Sequence, residues 1–337
     1  MRCGKRATVL ILLFLLVASH VHSENPTLVY KKKYVMGTVF EIAAYDASTE
    51  RASKAIEAAF QEIVRQDDLL SNYKTDSALN KLNRSAHFHQ EQVPRDLYRV
   101  IEQAIQYSRL SQGEFDISVA PLVDLWKAAL GGGAMPSEKQ QEKVRDCVGY
   151  EKIQLLPPDR VAFHSTCTQI DLGAIGKGYA VDHAGDVLRS AGICNALIIA
   201  GGSTILAMGS PPGQGGWPVH LRDPSHNIDP QVMLKNESVS TSEQSSPSLL
   251  GIDAPGHIID PNTGKPLKTD FAISAIAKTA TGSDALSTTL LLLGPERGKQ
   301  LLERMPDVAA IWISAKGQKE IVNQGSKISL GAHEHAL

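Results

Sequence analysis

The chain has no basic excess. Its 34 Lys and Arg stand against 36 Asp and Glu, a formal net charge of −2. That argues against a nucleic-acid-binding surface, which leaves a basic surplus; a local basic pocket stays open. No hydrophobic run is long enough to span a bilayer. The marked apolar run, Ala7 to Ala18, falls short of the ~20 residues a span needs. Cysteine is scarce, at four residues in 337. Cys3 precedes the apolar run and none follows it closely, which argues against a lipid-anchored N-terminus. The other three, Cys147, Cys167 and Cys194, have no zinc-site spacing. No internal repeat with a period of 20–50 residues is visible. The chain also lacks G-x-G-x-x-G, and no Ser or Thr follows Lys177 as a P-loop requires. Neither a standard dinucleotide fold nor a P-loop is indicated.

What is present is ordinary in bulk: 42% hydrophobic and 21% charged residues, the composition of a globular protein. The N-terminus carries Arg2, Lys5 and Arg6, then the apolar run, then Val21-His22-Ser23 with a small residue before a possible cut. Residues 1–23 read as a secretory signal peptide, with export to the periplasm or another extracytoplasmic space. An uncleaved membrane anchor is the alternative. An oxidising compartment would permit one disulfide, and Cys147–Cys167 is the nearest pair. Free or buried thiols are the other reading.

Periodicity gives a coarse map of the mature chain, residues 24–331, before a polar tail at 332–337. Thr27 to Ala44 reads as strand. Ala52, Ala55, Ile56, Ala59, Phe60, Ile63 and Val64 recur at helical spacing behind Ser48 or Thr49 as N-cap. A second helix spans about Pro94 to Ser111, with Gly113 just past its end. Gly131-Gly132-Gly133 marks a flexible loop. Residues 150–171 read as a hairpin turning at Pro157-Pro158-Asp159. A helix from about Lys177 to Ser190, a buried strand at Ala196–Ala200, an apolar helix from Asp284 to Leu293 and a strand from Val308 to Ser314 follow. Residues 210–256 hold two or three short strands with long loops. Helices and strands mix without a βαβ repeat, which favours an α+β fold.

Four segments could carry chemistry. Asp171-Leu-Gly-Ala-Ile-Gly-Lys-Gly-Tyr-Ala-Val-Asp182 places three glycines and Lys177 at the start of a helix. Glycine permits close backbone approach and a helix N-terminus favours anions; a tight strand-to-helix turn is the plain alternative. His257-Ile-Ile-Asp-Pro-Asn-Thr-Gly-Lys-Pro266 is a polar turn in which His257 and Asp260 could serve as acid and base, or simply bond the turn. In Ser283-Asp284-Ala285-Leu286-Ser287-Thr288, Asp284 and Thr288 share a helix face. A carboxylate and a hydroxyl so placed are hard oxygen ligands for Mg²⁺; a capped helix with an internal Thr needs no metal. In Gly113-Glu-Phe-Asp116 through Trp126, Phe115 and Trp126 read as core and Asp116 has no assigned partner. Met36-Gly37-Thr38 and Ser71-Asn72-Tyr73 are weak alone, although a Tyr ring can stack on a flat heterocycle.

In this order, over about residues 30–315, the pieces resemble the FAD:protein FMN transferase family, ApbE. The matching pieces are Met36-Gly37-Thr38, Ser71-Asn72-Tyr73, Asp76-Ser77, Leu82-Asn83, Phe115-Asp116, Pro121-Leu122 and Leu125-Trp126. They continue with the Asp171–Asp182 segment, Gly201-Gly202, Thr241-Ser242, His257-Ile-Ile-Asp-Pro261 with Thr263-Gly264, and Asp284-Ala-Leu-Ser-Thr288. The resemblance implies a T-fold-like, two-lobed α+β domain with FAD in a cleft between the lobes. It implies Mg²⁺ on the side chains of Asp284 and Thr288 and the backbone carbonyl of Ala174. It places Met36, Tyr73, Glu114, Phe115, Asp116, Asp171, Lys177 and the His257, Ile258, Ile259, Asp260 turn around FAD. The implied reaction is attack of a Thr or Ser hydroxyl of a target protein on the FMN phosphorus of FAD, with AMP leaving. The implied acceptor is a membrane redox subunit. An FAD pyrophosphatase and a non-enzymatic flavin-binding protein are the competing readings. Ser203 after Gly201-Gly202, Glu243 after Thr241-Ser242, and the stretch Gln244–Gly256 depart from the family pattern and bear on acceptor choice.

Overall fold

The computed structural model describes residues 25–130, 134–244, 258–322 and 328–332. The predicted signal peptide, the predicted loop at Gly131-Gly132-Gly133, His257 and the end of the polar tail lie outside the described residues. Along the chain, β1 (Thr27–Val35) and β2 (Thr38–Asp46) precede α1 (Thr49–Leu70), α2 (Ala78–Ser85), β3 (Glu91–Gln92), α3 (Arg95–Leu110), α4 (Ala120–Leu130) and α5 (Glu138–Arg145). Next come β4 (Ile153–Leu156), β5 (Arg160–Phe163), α6 (Gly176–Ser190), β6 (Asn195–Ala200), β7 (Thr204–Met208), β8 (Trp217–His220), β9 (Ile228–Leu234) and β10 (Glu237–Glu243). The chain closes with β11 (Ile259–Asp260), β12 (Lys265–Pro266), β13 (Phe271–Ala277), α7 (Ala280–Leu302), β14 (Ala309–Ser314), β15 (Lys319–Val322) and β16 (Ile328–Ala332).

Eight strands form one antiparallel sheet in the order β1-β2-β6-β7-β10-β13-β14-β15. Alternation along β2 turns Phe40, Ile42 and Ala44 inward. They meet Ala52, Ile56, Ala59, Phe60 and Ile63 of α1 and Val181, Ala184 and Leu188 of α6. Further along the same face, Leu286, Leu290 and Leu291 of α7 pack on Ile273, Ala275, Ala310 and Trp312. The opposite face is partly covered by the small sheet β16-β9-β8, through Trp217, Val219, Val232 and Leu234. The stretch between α1 and α6 builds a second lobe. There Leu79, Leu82, Leu97, Ile101, Ile105, Phe115, Val161 and Phe163 form their own core, which reaches α6 and α7 through Tyr179 and Ala285.

Two sequence readings change, and one helix appears that the periodicity did not mark. Thr27–Ala44 is two strands, because Met36 (φ 52°) and Gly37 (φ 72°) both take positive φ and reverse the chain. Two consecutive positive-φ residues make the tight hairpin turn that suits strand twist. The apolar helix begins at Ala280, where the Thr279 hydroxyl accepts from the Gly282 N–H, and is interrupted at Gly294 (φ 71°). Asp284 therefore sits beyond the first turn of the helix and does not cap its own helix. Residues 120–130 are helical, with Pro121 near the start, where its missing N–H costs nothing. Cys147 and Cys167 are joined in a disulfide, while Cys194 is free and exposed.

Candidate functional site

Antiparallel pairing brings several turns to one end of the large sheet. The β1–β2 turn at Met36-Gly37 lies beside the β6–β7 turn, where the Gly201 N–H donates to the Val39 carbonyl at 2.9 Å. Gly201 takes φ 59°, and a Cβ there would stand 2.4 Å from Thr38 Oγ1, so only glycine fits. At the same end, the Thr241 N–H donates to the Ser203 carbonyl at 2.8 Å. Ser242 at the end of β10 exchanges hydrogen bonds with Ser287 (2.8 Å) and Thr288 (3.3 Å) of α7.

The N-termini of α6 and α7 meet there in a reciprocal clasp. The Gly178 N–H of α6 donates to Asp284 Oδ2 of α7 at 2.8 Å. In return Asp182 of α6 accepts from the Ala280 N–H (2.8 Å), the Thr281 N–H (2.8 Å) and the Thr281 hydroxyl (2.6 Å) of α7. Each helix thus contributes an N–H and, four residues on along the same face, a carboxylate. Each carboxylate also lies at the positive end of the other helix. The helices approach so closely that a Cβ on Gly178 would stand 2.2 Å from the Ala280 carbonyl oxygen and 2.7 Å from Asp284 Cβ. Burial pushes the Asp182 carboxyl up, and the bonds from Thr281 and Ala280 offset this only in part.

Asp284 is 5% exposed and Thr288, one turn on, is half-buried. Ala174, in the turn before α6, packs into the same cluster as Ala285. A regular helical bond would give the Gly178 N–H to the Ala174 carbonyl, but that N–H goes to Asp284. Among the described residues no donor is found on the Ala174 carbonyl oxygen. The α6–α7 junction therefore supplies one carboxylate, one hydroxyl and one uncommitted carbonyl. All are oxygens, the donor set that suits a small hard cation.

The remaining predicted residues are engaged with other partners, to differing degrees. Asp171 caps its own turn, with Oδ1 accepting from the Gly173 N–H at 2.6 Å. Its N–H donates to Ile117, and Lys177 Nζ lies 3.3 Å from the Gly173 carbonyl. Asp116 is buried and organises a loop: Oδ1 takes the Ser118 N–H and hydroxyl, and Oδ2 takes the Tyr150 N–H. Burial drives its carboxyl above the usual range, those bonds notwithstanding. Phe115 is core, edge-on to Tyr107, and Glu114 pairs with Arg297 at 2.5 Å. Met36 packs against the α1 side of the core. Tyr73 is 83% exposed, with Lys127 over its ring. Ile258 and Ile259 sit in apolar clusters, and the β11–β12 hairpin is held on α4 by the Trp126 indole N–H to the Gly264 carbonyl, 2.8 Å. Asp260 accepts from the Asn262 N–H, the Thr263 N–H and the Thr263 hydroxyl, so both its oxygens serve the turn. Of the departures from the family pattern, Glu243 pairs with Arg222 at 2.8 Å, and Gln244 stitches Ile258 to Leu267.

Sequence reasoning assigned no role to Asp182, Gly178 or Thr204. The signal for the first two was the i, i+4 pairing of glycine with aspartate on α6, matched by Ala280 with Asp284 on α7. A second group of ligand type, Glu62, Asp96 and His183, lies on the back of α1, α3 and α6. Arg65 already bridges its two carboxylates, at 2.6 and 2.5 Å.

A long antiparallel sheet backed by helices, with a carboxylate–hydroxyl–carbonyl set where two helix N-termini interlock, defines a mixed α/β fold. The ApbE family pattern matches residues 36–312, and the chain belongs to that family. The chain is 28% identical over 285 residues to an FAD:protein FMN transferase of Escherichia coli (strain K12), covering 80% of this chain and 79% of that one. It is 28% identical over 306 residues to one from Treponema pallidum, covering 84% and 83%. Among solved structures, the apo form of the Pseudomonas stutzeri flavinyl transferase ApbE superposes with a TM-score of 0.75 at 25% identity, over 92% of this chain and 96% of the other. A Thermotoga maritima ApbE protein shares the fold at a TM-score of 0.76 and 24% identity, over 87% and 96%.

Proposed function

We propose that this protein is an FAD:protein FMN transferase that uses Mg²⁺ to move FMN from FAD onto a Thr or Ser hydroxyl of a target protein, releasing AMP. Membership of the ApbE family and the names of the relatives support the transferase class. The observation that carries the finer reading is the interlocked α6–α7 junction. There Asp284, Thr288 and the Ala174 carbonyl offer an all-oxygen set beside a helix N-terminus.

Those three groups would hold Mg²⁺. When bound, the ion supplies positive charge against the charge that builds on phosphoryl oxygens in transfer. The chain's own residues do the rest. The N-terminus of α6 and Lys177 favour an anion over the Asp171–Ala174 turn. Tyr73, exposed and backed by Lys127, offers a flat face to a heterocycle. Of the two candidate bases, Asp260 already has both oxygens engaged within its turn. Removal of the hydroxyl proton falls to His257 or Asp260. Attack by water in place of the acceptor would give FMN and AMP. The Cys147–Cys167 disulfide fits export to an oxidising compartment, and the acceptor class is a membrane redox subunit.

The test is incubation with FAD and Mg²⁺, with and without an acceptor carrying a Thr-centred Ser/Thr-Gly-Ala-rich motif. Covalent FMN on the acceptor is expected, and its loss in Asp284→Ala. Rapid AMP release without acceptor would instead show a hydrolase. An Asp284→Ala protein that flavinylates at the normal rate would overturn the metal assignment.

A further inference from the structure

Behind Asp284 lies a buried group of hydroxyls that the reaction above does not use. Thr204 of β7, Ser238 and Ser240 of β10 and Ser283 of α7 are each no more than 1% exposed. Thr204 Oγ1 donates to Asp284 Oδ1 at 3.3 Å, and Ser240 Oγ donates to Thr204 Oγ1 at 2.9 Å. Ser283 lies 2.8 Å from Ser238 and 3.1 Å from Ser240, and Ser238 donates to the Ile205 carbonyl at 2.8 Å.

Each hydroxyl has a single proton, and that sets a direction. Ser238 spends its proton on Ile205 and Ser240 on Thr204, so the proton of Thr204 goes to Asp284. With Gly178 holding Oδ2 and Thr204 holding Oδ1, the carboxylate is fixed in rotation. Each of its oxygens keeps a lone pair free to face away from these donors. Four buried hydroxyls from two strands and a helix are an unusual investment, since each must find a partner or destabilise the fold.

We propose that Thr204, oriented by Ser240, is a positioning residue for Asp284: it fixes the carboxylate in the orientation that binds the divalent cation. The inference rests on the reading of Asp284 as a metal ligand. Residues that orient a metal ligand from behind commonly change metal affinity about 10–100-fold when removed.

The test compares Thr204→Val, which keeps the shape and removes the donor, with Thr204→Ser, which keeps the donor. Two quantities are read in each full-length protein: the Mg²⁺ concentration giving half-maximal thermal stabilisation, and the Mg²⁺ dependence of FMN transfer at saturating FAD. Thr204→Val is expected to raise both half-saturation values about tenfold or more with little change in KM for FAD, and Thr204→Ser to restore them. A Thr204→Val protein with lowered Tm but unchanged Mg²⁺ half-saturation would reduce the hydroxyl to a packing role and overturn the proposal. If Thr204→Val does not fold, Ser240→Ala, which leaves Thr204 in place but frees its orientation, must show a shift in the same direction or the proposal fails. Asp284→Ala separates the two levels. If it removes the Mg²⁺ response while Thr204→Val leaves it intact, only the positioning role is wrong. If Asp284→Ala retains the response, the metal reading fails and this inference with it.

Discussion

Replacing Gly178 by alanine probes the helix clasp directly. A Cβ there would stand 2.2 Å from the Ala280 carbonyl oxygen, 2.6 Å from its carbon and 2.7 Å from Asp284 Cβ. Two of these atoms are backbone, so no rotamer change relieves the contact and the helices must separate. Overpacking of this kind costs about 1–3 kcal/mol. Separation also weakens the Gly178 N–H bond to Asp284, and hydrogen bonds to charged groups contribute about 1.5–3 kcal/mol. Better helix propensity returns about 1 kcal/mol. The net loss is about 1.5–5 kcal/mol, or a fall in Tm of about 2–7 °C for a chain of this size. Thermal denaturation reads the first effect and Mg²⁺-dependent FMN transfer the second; transfer should fall far more than stability alone explains. Gly176→Ala is the control, because its Cβ meets nothing nearer than Leu172 Cβ at 3.7 Å, and it should keep wild-type stability. A Gly178→Ala protein with wild-type Tm and normal transfer would show that the clasp is not tight and that the reasoning is wrong.

The Cys147–Cys167 disulfide closes a loop with a sequence separation of 20. Cys147→Ser with Cys167→Ser should lower the free energy of unfolding in urea by about 3 kcal/mol, and unchanged stability would refute this. Arg65 holds the Glu62 carboxyl below its usual range and, against the opposing effect of burial, does the same for Asp96. Carboxyls lowered in the folded state stabilise it above their unfolded values and lose that contribution as pH falls through the lowered ones. The Tm gap between wild type and Arg65→Met should therefore be largest above about pH 5 and narrow in acid; a gap equal at neutral and acid pH would refute the ion-pair account.

The amphipathic spacing of α1 and α3 and the Gly-capped α6 were legible because single helix faces bury Ile56, Phe60 and Ile63, or Leu97, Ile101 and Ile105. The Asp171–Asp182 segment and the Asp284–Thr288 pair were legible as chemistry, and folding brings α6 and α7 together at Gly178 and Asp284. The β1–β2 hairpin was hidden because Met36, not an obvious turn residue, takes φ 52° beside Gly37. Helix α4 was hidden by its loop-like neighbours and by Pro121, which reads as a breaker until it is seen near the helix start. The role of Asp182 is a contact between residues about a hundred positions apart, with Ala280 and Thr281. Periodicity within one helix carries no trace of such a partner. The hydroxyls behind Asp284 were invisible for a similar reason: Ser and Thr are residue types mostly found at the surface, and nothing local to Thr204, Ser240 or Ser283 shows that the sheet closes over them.

The most direct measurement is the intact mass of a Thr-bearing acceptor after incubation with FAD, Mg²⁺ and either this protein or its Asp284→Ala variant. One added FMN, less water, with the wild-type chain and no mass change with the variant is the outcome predicted by a cation held between α6 and α7. An unmodified acceptor with the wild-type chain, or equal labelling by both proteins, contradicts it.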